Sequence, residues 1–134
     1  MKGVGKKGDL MALEVNMRPS GGFTPDMINF ARETDVYKIW ADMVAYDSTQ
    51  KPVGAHHFCA FAGLRDGKDF AMTPDAIIEK YTEQLKMVER MPDALSDAMG
   101  NQMYLATFDT EEALNAFFAD VTRLKEVDTS EESE

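Results

Sequence analysis

The sequence predicts an α+β domain, and three observations carry that reading. Residues 10–17 alternate apolar and polar side chains, while residues 53–64 and 103–108 are short apolar runs of strand length. Between and after them lie stretches with apolar residues three and four positions apart, opened by Thr-Pro-Asp or by Asp-Thr-Glu-Glu. Gly, Pro and Asp-Gly punctuation separates the two kinds in the order strand, helices, hairpin, helix, strand, helix.

Residues 1–8 are rich in Gly and Lys and read as loop. In the strand at 10–17, Met11, Leu13, Val15 and Met17 share one face, and Ala12, Glu14 and Asn16 share the other. Pro19, Gly21 and Gly22 end it. Thr24 as N-cap, Pro25 in the first turn and Asp26 open a helical stretch reaching about Tyr46. Its apolar stripe slips between Met27, Phe30 and Ala31 and a second register of Val36, Ile39, Trp40, Met43 and Val44. Thr34-Asp35 at the slip predicts a kink or two short helices. Residues 47–52 form a loop and the best internal boundary.

Residues 53–64 are apolar on both faces, as in a covered strand. Asp66-Gly67 predicts a turn into a short return strand at 70–72. Thr73-Pro74-Asp75 opens another helix, with Ile77, Ile78, Tyr81, Leu85 and Val88 inward until Pro92 breaks it. Residues 93–99 add a helical turn stopped by Gly100, and a strand at 103–108 follows. Asp109-Thr110-Glu111-Glu112 resembles a capping box with Asp as cap, ahead of a last helix burying Leu114, Phe117, Phe118, Val121 and Leu124.

Composition narrows the classes. The chain has 134 residues, 44% hydrophobic and 28% charged, which fits one modest domain and excludes wholesale disorder. No apolar run approaches ~18 residues, so no membrane partner is expected. Acids outnumber bases by 24 to 14, and the net charge of −10 speaks against a nucleic-acid partner. Half of that excess sits in residues 126–134, read as a disordered acidic tail or, alternatively, a docking peptide. A single cysteine, Cys59, forbids an internal disulfide and fits a cytoplasmic location.

The densest polar signal is Glu14-Val15-Asn16-Met17-Arg18. Residues i and i+2 of a strand point the same way, so Glu14 and Asn16 offer two oxygen ligands side by side with Arg18 beyond them. A carboxylate and a carboxamide beside a guanidinium suit Mg²⁺ and the phosphates it bridges. A solvent-facing polar edge is the plainer alternative.

Residues 12–22, Ala12-Leu13-Glu14-Val15-Asn16-Met17-Arg18-Pro19-Ser20-Gly21-Gly22, resemble the Glu-x-Asn-x-Arg strand and Gly loop of the ATP-grasp superfamily. They are similar in particular to its bacterial branch loosely labelled carbamoyl-phosphate-synthase-like. Residues 23–31 and 37–42 resemble that branch as well, and the similarity runs through most of the chain. It implies an α+β fold: the C-terminal portion of an ATP-grasp core at 1–50, a small α/β extension at 51–125, and the tail at 126–134. Members of the family couple ATP cleavage to joining a small carboxylate with an amine, ammonia or thiol through an acyl phosphate. Carried over, Glu14 and Asn16 hold Mg²⁺ against the ATP phosphates, and Arg18 binds and neutralises the transferring phosphoryl group.

In that family this strand follows phosphate-binding lysines, a flexible Gly-rich loop, an adenine-binding hinge and another metal-binding acid. Only thirteen residues precede Glu14, so the expectation is a C-terminal fragment of a longer ligase, inactive alone. The rival is a non-enzymatic interaction or regulatory domain that retains an ATP-grasp remnant. With its partner strands elsewhere, the chain is expected to self-associate through residues 10–46 as a homodimer.

Other signals are weaker. Gly3-Val4-Gly5-Lys6-Lys7-Gly8 lacks the Gly-Lys-Ser/Thr ending of a P-loop and reads as a connector. His56 and His57, adjacent on a strand, face opposite sides and do not share one ion simply. His57 and Cys59 share a face, either as a Cys–His nucleophile pair or, more plainly, as structural residues. The ten methionines read as gap-fillers of a core.

Overall fold

The computed structural model describes Glu14 and residues 16–126. Most of the strand expected at 10–17 and the tail from 127 onward lie outside the described residues; Glu14, Asn16 and Met17 carry no regular secondary structure. The elements in order are α1 (Thr24–Arg32), α2 (Val36–Tyr46), β1 (Phe58–Leu64), α3 (Pro74–Lys80), β2 (Leu85–Arg90), α4 (Asp93–Met99), β3 (Gln102–Phe108) and α5 (Glu111–Thr122). The fold is α+β, with the three strands in one antiparallel sheet of order β1-β3-β2.

Alternation along the strands divides the core into two layers. On one face, Ala60, Ala62 and Leu64 of β1 and Tyr104, Ala106 and Phe108 of β3 meet Ile77 and Tyr81 together with Phe117 and Val121 of α5. The register sets Ala62 opposite Tyr104 and Ala60 opposite Ala106, so small residues on β1 leave room for rings. Phe117 stands edge-on to Tyr81 at 5.0 Å and tilted against Phe108 at 5.3 Å, a geometry aromatic pairs favour. On the other face, Met103, Leu105 and Phe61 receive Phe23, Met27 and Phe30 from α1 and its entry. Met87, Met91 and Met99 pack there too, filling gaps as unbranched side chains can.

Local chemistry accounts for most boundaries. The two-helix reading of 24–46 holds. Glu33 takes a left-handed φ of 46°, and the Asp35 carboxylate then caps α2 by accepting from the Lys38 N–H. Thr73 caps α3 and Thr110 caps α5 through their hydroxyls. Gly100 stops α4 at φ +84°, where it also lies against β1; a Cβ there would stand 2.8 Å from the Gly63 carbonyl carbon.

Several expectations are corrected. The first helix starts at Thr24 with Phe23 as its cap residue, and the Phe23 ring stacks on Phe61 at 6.0 Å. Residues 70–72 do not pair back on β1. Phe70 bridges Leu124, and the Ala71 N–H donates to the Arg123 carbonyl, so this segment pairs with the chain beyond α5 instead. The helix opened at Thr73 ends at Lys80 rather than at Pro92, and residues 85–90 form an edge strand on β3. Its pattern, with Leu85 and Met87 half-buried and Lys86 and Val88 exposed, has the period of a strand. Thr110 rather than Asp109 is the cap of α5. Leu124 is exposed, and no residue of α2 is buried, contrary to the expected stripe.

Candidate functional site

Helix α1 is what delivers the sequence motif to its position. Phe23, Met27 and Phe30 hold α1 on the sheet, and Pro19 to Gly22 lead back from it to Arg18. Glu14, Asn16, Met17 and Arg18 are all exposed, Met17 at 85%. The Arg18 guanidinium donates to the adjacent Pro19 carbonyl at 3.1 Å, and among the described residues no ion pair engages Glu14 or Arg18. The chain's own C-terminal half therefore does not cover them. Glu14 and Asn16 supply hard oxygen donors of the kind Mg²⁺ takes, but two ligands fill only part of an octahedral shell. Among the described residues no group of three or more His, Cys, Asp or Glu side chains is placed to hold a metal.

The second polar constellation was illegible in the sequence. The His57 Nδ1 lies 2.7 Å from Asp109 Oδ1, and its Nε2 lies 3.4 Å from Glu33 Oε1. Three elements meet there: the end of α1, the entry to β1 and the β3–α5 loop. The His57 N–H donates to the Ala31 carbonyl, which fixes the backbone beside α1. Asp109 and then Glu33, by bonding to the imidazolium, raise the His57 pKa above its ordinary 6.5. Asp109 is 52 residues away, and its place beside Thr110 suggested a helix cap instead. Asn29, Lys86, Thr107 and Thr110 extend this corner into an open cleft of about 680 Å³.

That arrangement does not make a nucleophile pair with Cys59. Both His57 nitrogens are turned to carboxylates, leaving neither to accept a thiol proton. Cys59 is half-buried against the α1 face, and burial pushes its thiol up to about 11. A thiol protonated at neutral pH is a poor nucleophile, so Cys59 is a packing residue.

The remaining ion pairs brace the fold. Arg90 makes a two-pronged contact with Asp66, at 2.9 and 2.6 Å, joining β2 to the turn after β1. Asp120 of α5 accepts from both Lys80 and the Tyr81 hydroxyl. No helix among the described residues is long and apolar enough to cross a membrane. Comparison of the chain with family models, with curated proteins and with solved structures finds no match.

Proposed function

We propose that this chain is the C-terminal part of an ATP-dependent ligase of ATP-grasp type, joining a small carboxylate to an amine or thiol. Glu14 and Asn16 contribute oxygen ligands to Mg²⁺, and Arg18 contributes positive charge against the phosphates or the acyl phosphate. The lysines and hinge that hold the nucleotide come from the rest of the complete enzyme. One observation supports this above others: Glu14, Asn16 and Arg18 are exposed together, just ahead of a helix anchored to the sheet. Their exposure leaves these three side chains in reach of a ligand from outside the described fold.

Bound Mg²⁺ would neutralise phosphate charge during phosphoryl transfer. The chain's own part is to supply two oxygens and one guanidinium just ahead of α1. Alone, the chain is expected to bind Mg²⁺-ATP more weakly than micromolar and to hydrolyse none, and calorimetric titration checks this. Micromolar or tighter binding would overturn the fragment reading. In the complete enzyme, Glu14→Gln or Asn16→Ala should lower turnover by orders of magnitude while the unfolding midpoint stays put. Unchanged turnover would remove those residues from the site.

The rival, a non-enzymatic interaction module, draws support from the apolar residues that α2 leaves in solvent. It differs in outcome, because no partner polypeptide would then restore ATP cleavage.

A further inference from the structure

His57 is held as only a doubly protonated imidazole can be. Its Nδ1 lies 2.7 Å from Asp109 Oδ1 and its Nε2 lies 3.4 Å from Glu33 Oε1. An ionised carboxylate only accepts, and a neutral imidazole has one N–H to give. Both contacts are therefore hydrogen bonds in the imidazolium alone.

The surroundings of Glu33 fit this contact. Gly54 supplies the room: a Cβ there would stand 3.2 Å from Glu33 Cβ and 3.4 Å from Glu33 Oε2. The Gly54 and His57 N–H groups donate to the Arg32 and Ala31 carbonyls, so residues 54–57 run beside the C-terminal end of α1. That end carries negative partial charge, which favours a cation next to it. Glu33 itself turns the chain at φ 46°, a conformation that a side chain disfavours. No other charged group bonds to the ring among the described residues. Glu83, just ahead of β2, and Lys86 on β2 line the same cleft without bonding to it. β1 has no charged residue, and the start of α5 faces the cleft with Thr110 and Ala113.

We infer that His57 is a pH-operated latch on this cleft of about 680 Å³: as imidazolium it ties the end of α1 to the β3–α5 loop, and as neutral imidazole it keeps Asp109 and releases Glu33. The single proton of the neutral ring stays on Nδ1, because the shorter bond to Asp109 outcompetes the longer one to Glu33. The Nε2 lone pair then faces the Glu33 carboxylate, and two acceptors repel. Glu33 swings into solvent, and the cleft opens at its α1 end. The bonds of Asn29 to the Thr34 and Val36 N–H groups do not involve the ring, so α2 stays attached in both states. The latch is independent of residues 14–18 and of any ligase role.

Nitrogen NMR of the imidazole rings from about pH 5 to about pH 9 tests this, with His56→Gln leaving one ring to read. His57 should titrate above 6.5, and its neutral form should carry the proton on Nδ1. The amides of Glu33, Gly54 and His57 should shift at the same midpoint. Their protection from hydrogen exchange, corrected for the intrinsic effect of pH, should fall about two- to fivefold as the ring deprotonates. Glu33→Gln puts an amide donor opposite Nε2, so it should lower the His57 midpoint and abolish the response at residues 33 and 54. Gly54→Ala crowds Glu33 out of its seat without changing a charge and should do the same. The inference is overturned by a His57 midpoint at or below 6.5 or by a neutral ring protonated on Nε2. It is also overturned by amides at 33 and 54 that ignore the titration, or by a response that survives either variant.

Discussion

Helices α1 and α2 are separated by only three residues, yet they meet opposite fates. Phe23, Met27 and Phe30 bring α1 onto the sheet, where they join Leu105 and Phe61. The α2 sequence is the more apolar of the two, but Tyr37, Trp40, Met43, Val44 and Tyr46 are exposed. Apolar content therefore does not by itself determine burial. The left-handed Glu33 and the Asp35 cap turn the chain, and α2 has no residue buried against the described part of it. That exposed apolar surface is the feature on which the expected self-association rests. In the proposal made here its partner is the remainder of an ATP-grasp core or, in its absence, a second copy of the chain.

The contrast can be broken from either side. The largest effect should come from the packed side: Phe117→Ala removes a fully buried ring from between Tyr81 and Phe108. Denaturant unfolding should show a loss of about 3–5 kcal/mol, and a loss below ~1 kcal/mol would mean that this core is not the fold's centre. Gly100→Ala should cost about 1–3 kcal/mol, since it forces a side chain into φ +84° and presses on Gly63 and Leu64. On the open side, Val44→Lys should change monomer stability by no more than ~0.5 kcal/mol, because Val44 is 68% exposed. The same variant should shift a dimer toward monomer in sedimentation at tens of micromolar. A wild-type chain that sediments as a monomer there would remove the self-association proposal and leave α2 waiting for a different partner.

The smallest expected effect belongs to the His57 clasp, which fastens α1 to the rest. Its pKa is raised in the folded state, so its stabilising contribution is fully present below the unfolded value of 6.5. It is lost as pH rises through the higher folded value. The unfolding midpoint should fall modestly over that window, and His57→Gln should flatten the step. A midpoint that rises there, or a step that survives in the variant, would show that the clasp carries no charge-dependent stability.

The candidate site divides in the same way as the helices. Glu14, Asn16 and Arg18 are legible because their signal is local, a two-residue spacing followed by Pro and a Gly pair. The clasp is not, since Glu33 and Asp109 lie 24 and 52 residues from His57, the first brought to it by the end of α1 and the second by the pairing of β1 with β3. The Tyr104 hydroxyl, without a hydrogen-bond partner among the described residues, is equally hidden: a tyrosine in a strand reads as core, and only its surroundings show what it meets.

What the sequence determined by itself is what neighbouring residues decide among themselves. That includes the break between α1 and α2 at Thr34-Asp35, the Thr73 cap, the Asp66-Gly67 turn, the stop at Gly100, the two-faced β1 and the strand β3. The tertiary structure decided what depends on competition between distant partners. Leu85 and Val88 continue a helical stripe from Ile77, yet the open edge of β3 offered 85–90 a ladder of backbone hydrogen bonds. Residues 70–72 met the chain beyond α5, at Arg123 and Leu124, rather than β1, and α1 rather than α2 took the sheet face. Caps and turns depend on a few adjacent dihedrals, whereas an edge or a face can be occupied only once, and which segment takes it is settled by the whole chain.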